Sequence, residues 1–163
     1  MKRLAIAFTG PSNSGKTTLI EKISLVLSPK YKVAIIKHDP KDKAIFDVEG
    51  KDSDRFFKSG ADVAVVSDVR TSVFKHTTSS IDEIARMFGE FDFLLVEGLK
   101  YLPLPRIAVF RGELEESYFD YIQAVAIDDT IKKEKLEDTN LDILDLNNTQ
   151  EIIEYIEKNA KRI

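Results

Sequence analysis

The chain has no cysteine. A disulfide framework and a thiolate-ligated metal centre are therefore both excluded. It has only two histidines, His38 and His76, too far apart in sequence to form the Cys/His cluster that a metal-handling site normally shows. No apolar run is long enough for a membrane span, and residues 4 to 8, the most apolar stretch near the N-terminus, give way at once to Thr9 and Gly10. No signal-peptide pattern precedes them, so the expectation is a cytoplasmic protein without a membrane partner. An excess of basic residues is also missing. The formal net charge is −4, which argues against a broad nucleic-acid-binding surface.

What the chain does have is an ordinary globular composition, 43% apolar and 32% charged over 163 residues. That length suits one domain covering residues 1–163. The segments Arg3–Gly10, Lys32–Asp39, Phe91–Gly98, Pro105–Gly112 and Gln123–Asp129 are nearly continuous apolar runs. Such runs read as strands buried on both faces of a parallel sheet. Leu141–Leu146 is a weaker strand. Between them, Leu19, Ile20, Ile23, Val26 and Leu27 recur at helical spacing. A short helix is expected over Ser53–Ser59 with Asp52 as its cap and Gly60 just beyond it. Ser80-x-x-Glu83 reads as a capping box, and Thr149 as the cap of a last helix. Asp62–Asp68 and Thr71–Thr77 suggest a local antiparallel pair. The fold expected is α/β: three layers, a mostly parallel sheet with helices on both faces, of the P-loop NTPase type.

The feature that points to chemistry is Gly10-Pro11-Ser12-Asn13-Ser14-Gly15-Lys16-Thr17. It matches G-x-x-x-x-G-K-[ST] without a gap, between a buried strand and an amphipathic helix. The glycines let successive backbone amides turn inward toward phosphate oxygens. Lys16 can reach the β- and γ-phosphates, the Thr17 hydroxyl can bind Mg²⁺, and Thr18 continues the cradle into the helix. A local field of this kind needs no basic protein around it.

An acid at the end of a neighbouring strand completes such a site. Glu97 follows Phe93-Leu94-Leu95-Val96 and suits a metal-holding or water-positioning role, or else is a solvated strand-end acid. Asp39, at the end of the second strand, is a rival or partner carboxylate. The N-K-x-D loop that reads guanine is absent. Asp128 and Asp129 stand just past a buried strand, where ligands of open α/β sheets lie, so either one of them reads the base or the pair is a plain turn.

The ordered set GPSNSGKTTLIEKI, IIKHD, VEGKDSDRFFKSGAD, LLVEGLK and PRIAVFR resembles molybdopterin-guanine dinucleotide biosynthesis protein B, the MobB family, over about residues 3 to 130. The resemblance implies a homodimeric GTP-binding protein with weak GTPase activity and Mg²⁺. Its partner would be the guanylyltransferase that attaches GMP to the molybdenum cofactor, with molybdopterin itself as a further candidate ligand. By the same resemblance Gly15, Lys16 and Thr17 hold phosphates and metal, and Glu97 takes the Walker B position. Lys51, Asp52 and Ser53 match a second family signature. The fragment lacks a glycine five residues before Gly50, so it is not a second cradle. Lys51 is instead expected to meet a second anion. Family members carry further histidines after the second strand, whereas KHDPKDKAIF keeps only His38, and a histidine role does not carry over.

Two other functions share the cradle. A small-molecule kinase usually closes an arginine-rich lid, and residues 98–130 contain only Arg106 and Arg111. Both flank a buried strand, either as cationic helpers of phosphoryl transfer or in structural ion pairs. A metal-insertion GTPase would need the metal-ligand cluster that this chain lacks.

Overall fold

Leu4–Thr9 forms β1, and every residue of it after Leu4 is buried. The computed structural model describes residues 1–163. Strand β1 lies inside a sheet between β5 (Phe93–Glu97) and β6 (Arg106–Phe110). Outside β5 is β2 (Val33–Lys37), and beyond β6 come β7 (Ala124–Ile127) and β8 (Asp142–Asp145). These six strands run parallel. A seventh, β9 (Lys161–Arg162), pairs antiparallel with Leu4 and Ala5. It is too short and too charged to be recognised as a strand from sequence.

Strands β1, β5, β6 and β7 lack polar alternation because both faces are covered, whereas β2, expected from its apolar run to be buried on both faces, lies at the sheet edge and leaves Ile35 41% exposed. One face carries Ile6, Phe8, Phe93, Leu95, Ile107 and Val109. It packs on Leu19, Ile20, Ile23 and Leu27 of α1 (Lys16–Leu27) and on Ile152, Ile153 and Ile156 of α4 (Thr149–Asn159). Each fully buried Ile or Phe here contributes roughly 1.5–3 kcal/mol by leaving water. Val26, counted with this stripe from its spacing, is instead 50% exposed. Over β6–β8 the opposite face is covered by Ile131 and by two short 3₁₀ helices, Glu116–Tyr121 and Lys133–Leu136.

By internal contacts the chain divides into two compact units, Met1–His38 with Glu90–Ile163, and Asp39–Gly89. The sheet belongs to the first. The second holds α2 (Asp52–Lys58), β3 (Val63–Val66), β4 (Thr71–Phe74) and α3 (Ile81–Phe88). Strands β3 and β4 form the expected antiparallel pair. The expected capping box is complete at α3: Glu83 N–H donates to Ser80 Oγ at 3.3 Å, and Ser80 N–H to Glu83 Oε2 at 2.7 Å.

Two caps differ from expectation. Helix α2 starts one residue earlier than its sequence suggests, so Lys51 is the N-cap, without a side-chain bond, and Asp52 falls in the first turn. There its charge faces the positive helix end. The local acceptor is Asp54, whose Oδ2 takes the Gly50 amide at 2.8 Å. At α4 the cap is Asn148, whose Oδ1 accepts from the Glu151 amide at 3.1 Å, not Thr149. No helix is long and apolar enough to cross a membrane.

Candidate nucleotide-binding site

Between β1 and α1 the chain curls through Gly10 (φ 132°), Asn13 (φ 63°) and Gly15 (φ 98°). Gly10 admits no side chain, because a Cβ there would lie 2.3 Å from the Val109 carbonyl oxygen. Gly15 is the N-cap of α1 and offers no side-chain cap, and the first turn holds no acid. The amides at this helix end are thus not claimed by the chain's own side chains. Ser14 Oγ is buried and has no hydrogen-bond partner. An orphaned buried hydroxyl costs about 1–3 kcal/mol, a cost removed by any phosphate oxygen that accepts from it. The cradle therefore fits a nucleotide's phosphates.

Lys16 bends back over the loop, its Nζ donating to the Gly10 carbonyl at 3.0 Å and to that of Pro11 at 2.6 Å. Partial burial lowers its pKa, and Glu97 opposes that shift while Lys37 adds to it. Ser12, Asn13, Thr17 and Thr18 are exposed along the loop and the first helical turn. Glu97 ends β5 opposite Phe8 of β1, two residues before the cradle begins. Its carboxylate is 16% exposed and has Lys37 Nζ at 3.9 Å. The structure thus brings Lys16 and Glu97 into one field, with Thr17 on the adjoining turn of α1.

The acids past β7 are unequal. Asp128 Oδ2 accepts from Arg111 Nε at 2.8 Å, and its Oδ1 accepts from the amide of Thr130 at 3.1 Å and from the Thr130 hydroxyl. The Thr130 hydroxyl bond, followed by Arg111, holds this carboxyl below the usual carboxylate range. Asp129 is exposed.

The family model for molybdopterin guanine dinucleotide synthesis protein B matches residues 5–128, from β1 to the end of β7. The chain belongs to the MobB family. The Haemophilus influenzae molybdopterin-guanine dinucleotide biosynthesis adapter protein is 33% identical over 161 residues, covering 93% of this chain and 86% of that protein. The Escherichia coli protein of the same description is 29% identical and covers 93% of this chain and 90% of its own. Among solved structures, Bacillus subtilis MobB superimposes with a TM-score of 0.76 at 23% identity, over 97% of this chain and 98% of that one. The hydrogenase maturation factor HypB from Archaeoglobus fulgidus shares the fold at a TM-score of 0.51 and 18% identity, over 95% of this chain and 87% of its own. The fold is thus of the P-loop NTPase type.

Within this MobB-family site, Arg106 is neither a cationic helper nor half of an ion pair. Arg106 is 1% exposed. It makes no ion pair but donates to three carbonyls, of Gly98 at 2.7 Å, Leu99 at 2.9 Å and Leu102 at 3.4 Å. Burial lowers its pKa, with Tyr121 acting in opposition. The guanidinium thereby fixes the loop that follows Glu97, where Leu99 has φ 48° and Gly98 has φ 86°. A Cβ on Gly98 would lie 3.0 Å from His38 Cβ, so His38 packs directly on this loop. The only sequence signal was an arginine opening an otherwise apolar strand. Arg111, by contrast, is in an ion pair, with Asp128.

The remaining candidates lie in the second compact unit. Asp39 Oδ2 accepts the amides of Lys43 and Ala44, both at 2.7 Å, which ties it into its own loop. Lys51 is exposed. His76 stacks on Phe57 at 3.9 Å between ring centres and bonds the Phe57 carbonyl oxygen at 2.9 Å through Nε2. No three His, Cys, Asp or Glu side chains converge on a point that could hold a metal ion.

Proposed function

We propose that this chain is a GTP-binding adapter in molybdopterin guanine dinucleotide synthesis, with a slow GTPase activity, and that it serves the guanylyltransferase of that route. The observation that carries the reading is the cradle: an uncapped helix end, a buried unpartnered Ser14 hydroxyl and a lysine bonded only to its own loop. Membership of the MobB family gives the pathway, and the names of the related proteins give the adapter role.

In this reading the backbone N–H groups of the Gly10–Thr18 loop, Pro11 apart, and the Lys16 ammonium hold the phosphates, and Lys16 meets charge that develops on the β–γ bridge. Thr17 and Glu97 would hold Mg²⁺, which would supply positive charge to the outer phosphate oxygens. Turnover is slow because neither arginine flanking β6 serves the outer phosphates: Arg106 is committed to carbonyls, and Arg111 is held beside Asp128, on the side of β1 away from Glu97. Of the two acids past β7, Asp129 reads guanine, since both oxygens of Asp128 are already engaged. Lys51, exposed in the second unit, takes a second anion, for which the phosphate of molybdopterin is the candidate. Asp39 stabilises its own loop through the Lys43 and Ala44 amides.

The second unit also supports the homodimer. Val65, Val66, Val69 and Val73 of the β3–β4 hairpin are exposed, and the two strands pair only with each other. Open apolar strand edges of this kind are normally covered, and a second copy of the chain is the cover proposed.

The test is steady-state GTP hydrolysis with and without the guanylyltransferase, for wild type and Lys16→Ala. The reading expects slow hydrolysis that the partner raises and the substitution abolishes. Robust transfer of phosphate from the nucleotide to a metabolite would instead assign a kinase.

A further inference from the structure

Arg111 follows β6, and its Nε bond to Asp128 occupies only one of the five guanidinium donors. Nη1 and Nη2 make no hydrogen bond within the chain. Nη2 points toward the cradle, 3.9 Å from where a Cβ on Gly15 would stand. Gly15, Thr18, Lys22, Arg111 and Asn147 line one small cavity of about 50 Å³ that no carboxylate enters. Two cations, a hydroxyl and the uncapped end of α1 thus face the same space, a setting for an anion.

Topology says which part of a nucleotide it meets. Strand β1 has β5, with Glu97, on one side and β6, with Arg111, on the other. The metal-holding end of the site is the Glu97 side. The Arg111 side is therefore the nucleoside end, and β7 with Asp129 lies one strand further out. Between the outer phosphates and the base stands the α-phosphate.

We propose that Arg111 binds the nucleotide's α-phosphate, and that Asp128 positions it. This rests on the nucleotide-binding reading above. Asp128 is itself braced, because its partner Thr130 accepts the Gly112 amide at 2.8 Å through Oγ1, which joins the loops after β6 and β7. Since the α-phosphate is common to mono-, di- and triphosphates of any base, Arg111 sets affinity for all of them without selecting among them.

The experiment is equilibrium titration of wild type, Arg111→Gln, Arg111→Lys, Asp128→Asn and Lys16→Ala with GTP, GDP, GMP and ATP, each variant's fold checked by thermal melting. Arg111→Gln is expected to weaken all four by a common factor of about ten or more, with the GTP-to-ATP ratio unchanged. Arg111→Lys recovers part of the loss, and Asp128→Asn shows a smaller loss of the same pattern. Loss confined to the triphosphates would make Arg111 an outer-phosphate cation, a changed GTP-to-ATP ratio would make it a base contact, and unchanged affinities would leave it structural. Each of these overturns the proposal. A wild-type protein that binds none of the four overturns the nucleotide reading itself, whereas wild-type binding lost in Lys16→Ala but kept in Arg111→Gln overturns only the role of Arg111.

Discussion

The Arg106 guanidinium donates to the Gly98 carbonyl at 2.7 Å from a side chain that water barely reaches. It is a buried charge whose partners are backbone oxygens of one loop. Arg106→Ala leaves those carbonyls of Gly98, Leu99 and Leu102 without their donor, and we expect a loss of about 3 kcal/mol in denaturant unfolding, since each buried acceptor left unpaired costs about 1–3 kcal/mol. Arg106→Lys, with a single ammonium in place of the planar fork, is expected to fall between the two. A loss under about 1 kcal/mol for Arg106→Ala would show that the loop finds other donors.

Ser14 presents the opposite balance. Its Oγ is buried without a partner, so Ser14→Ala removes a cost to folding and also a phosphate donor. The variant should be more stable than wild type by about 1 kcal/mol without nucleotide, and should bind nucleotide more weakly. Melting with and without saturating nucleotide reads both effects. Destabilisation in the free protein would mean that Ser14 supports the loop itself.

Asp128 makes part of the stability depend on pH. Its carboxyl is held below the ordinary value of 3.8, first by the Thr130 hydroxyl. The folded state therefore holds this proton less tightly than the unfolded chain. The stabilisation is complete above 3.8 and is lost as pH falls through the depressed folded value. The gap in melting temperature between wild type and Asp128→Asn should be constant above about pH 5 and close in more acidic solution. A gap that widens on acidification would contradict the assignment.

Much of this was legible in the sequence, because the informative physics was local. The doubly buried strands declare themselves by unbroken apolar runs, the cradle by glycines whose positive φ its curl requires, and α3 by Ser80 and Glu83 at capping-box spacing. What was not legible depends on the third dimension or on one residue of register. The caps of α2 and α4, Lys51 and Asn148, each stand one position before the expected Asp52 and Thr149, since neighbouring polar residues are equally good candidates until the helix start is known. Arg106 reads as a strand-end ion pair until the loop after Glu97 is seen to return its carbonyls to it. The inequality of Asp128 and Asp129 appears only once Arg111, from another strand, is placed beside one of them.

The central claim is that the loop Gly10–Thr17 holds GTP. Calorimetric titration of GTP with Mg²⁺ into wild type and Lys16→Ala tests it most directly. The account predicts saturable binding of one GTP per chain to wild type, weaker binding of ATP, and a loss of about a hundredfold or more in the variant, the scale of a charge-assisted phosphate contact removed from a partly buried site. Equal affinity of the two proteins for GTP, or no binding by wild type, would contradict it.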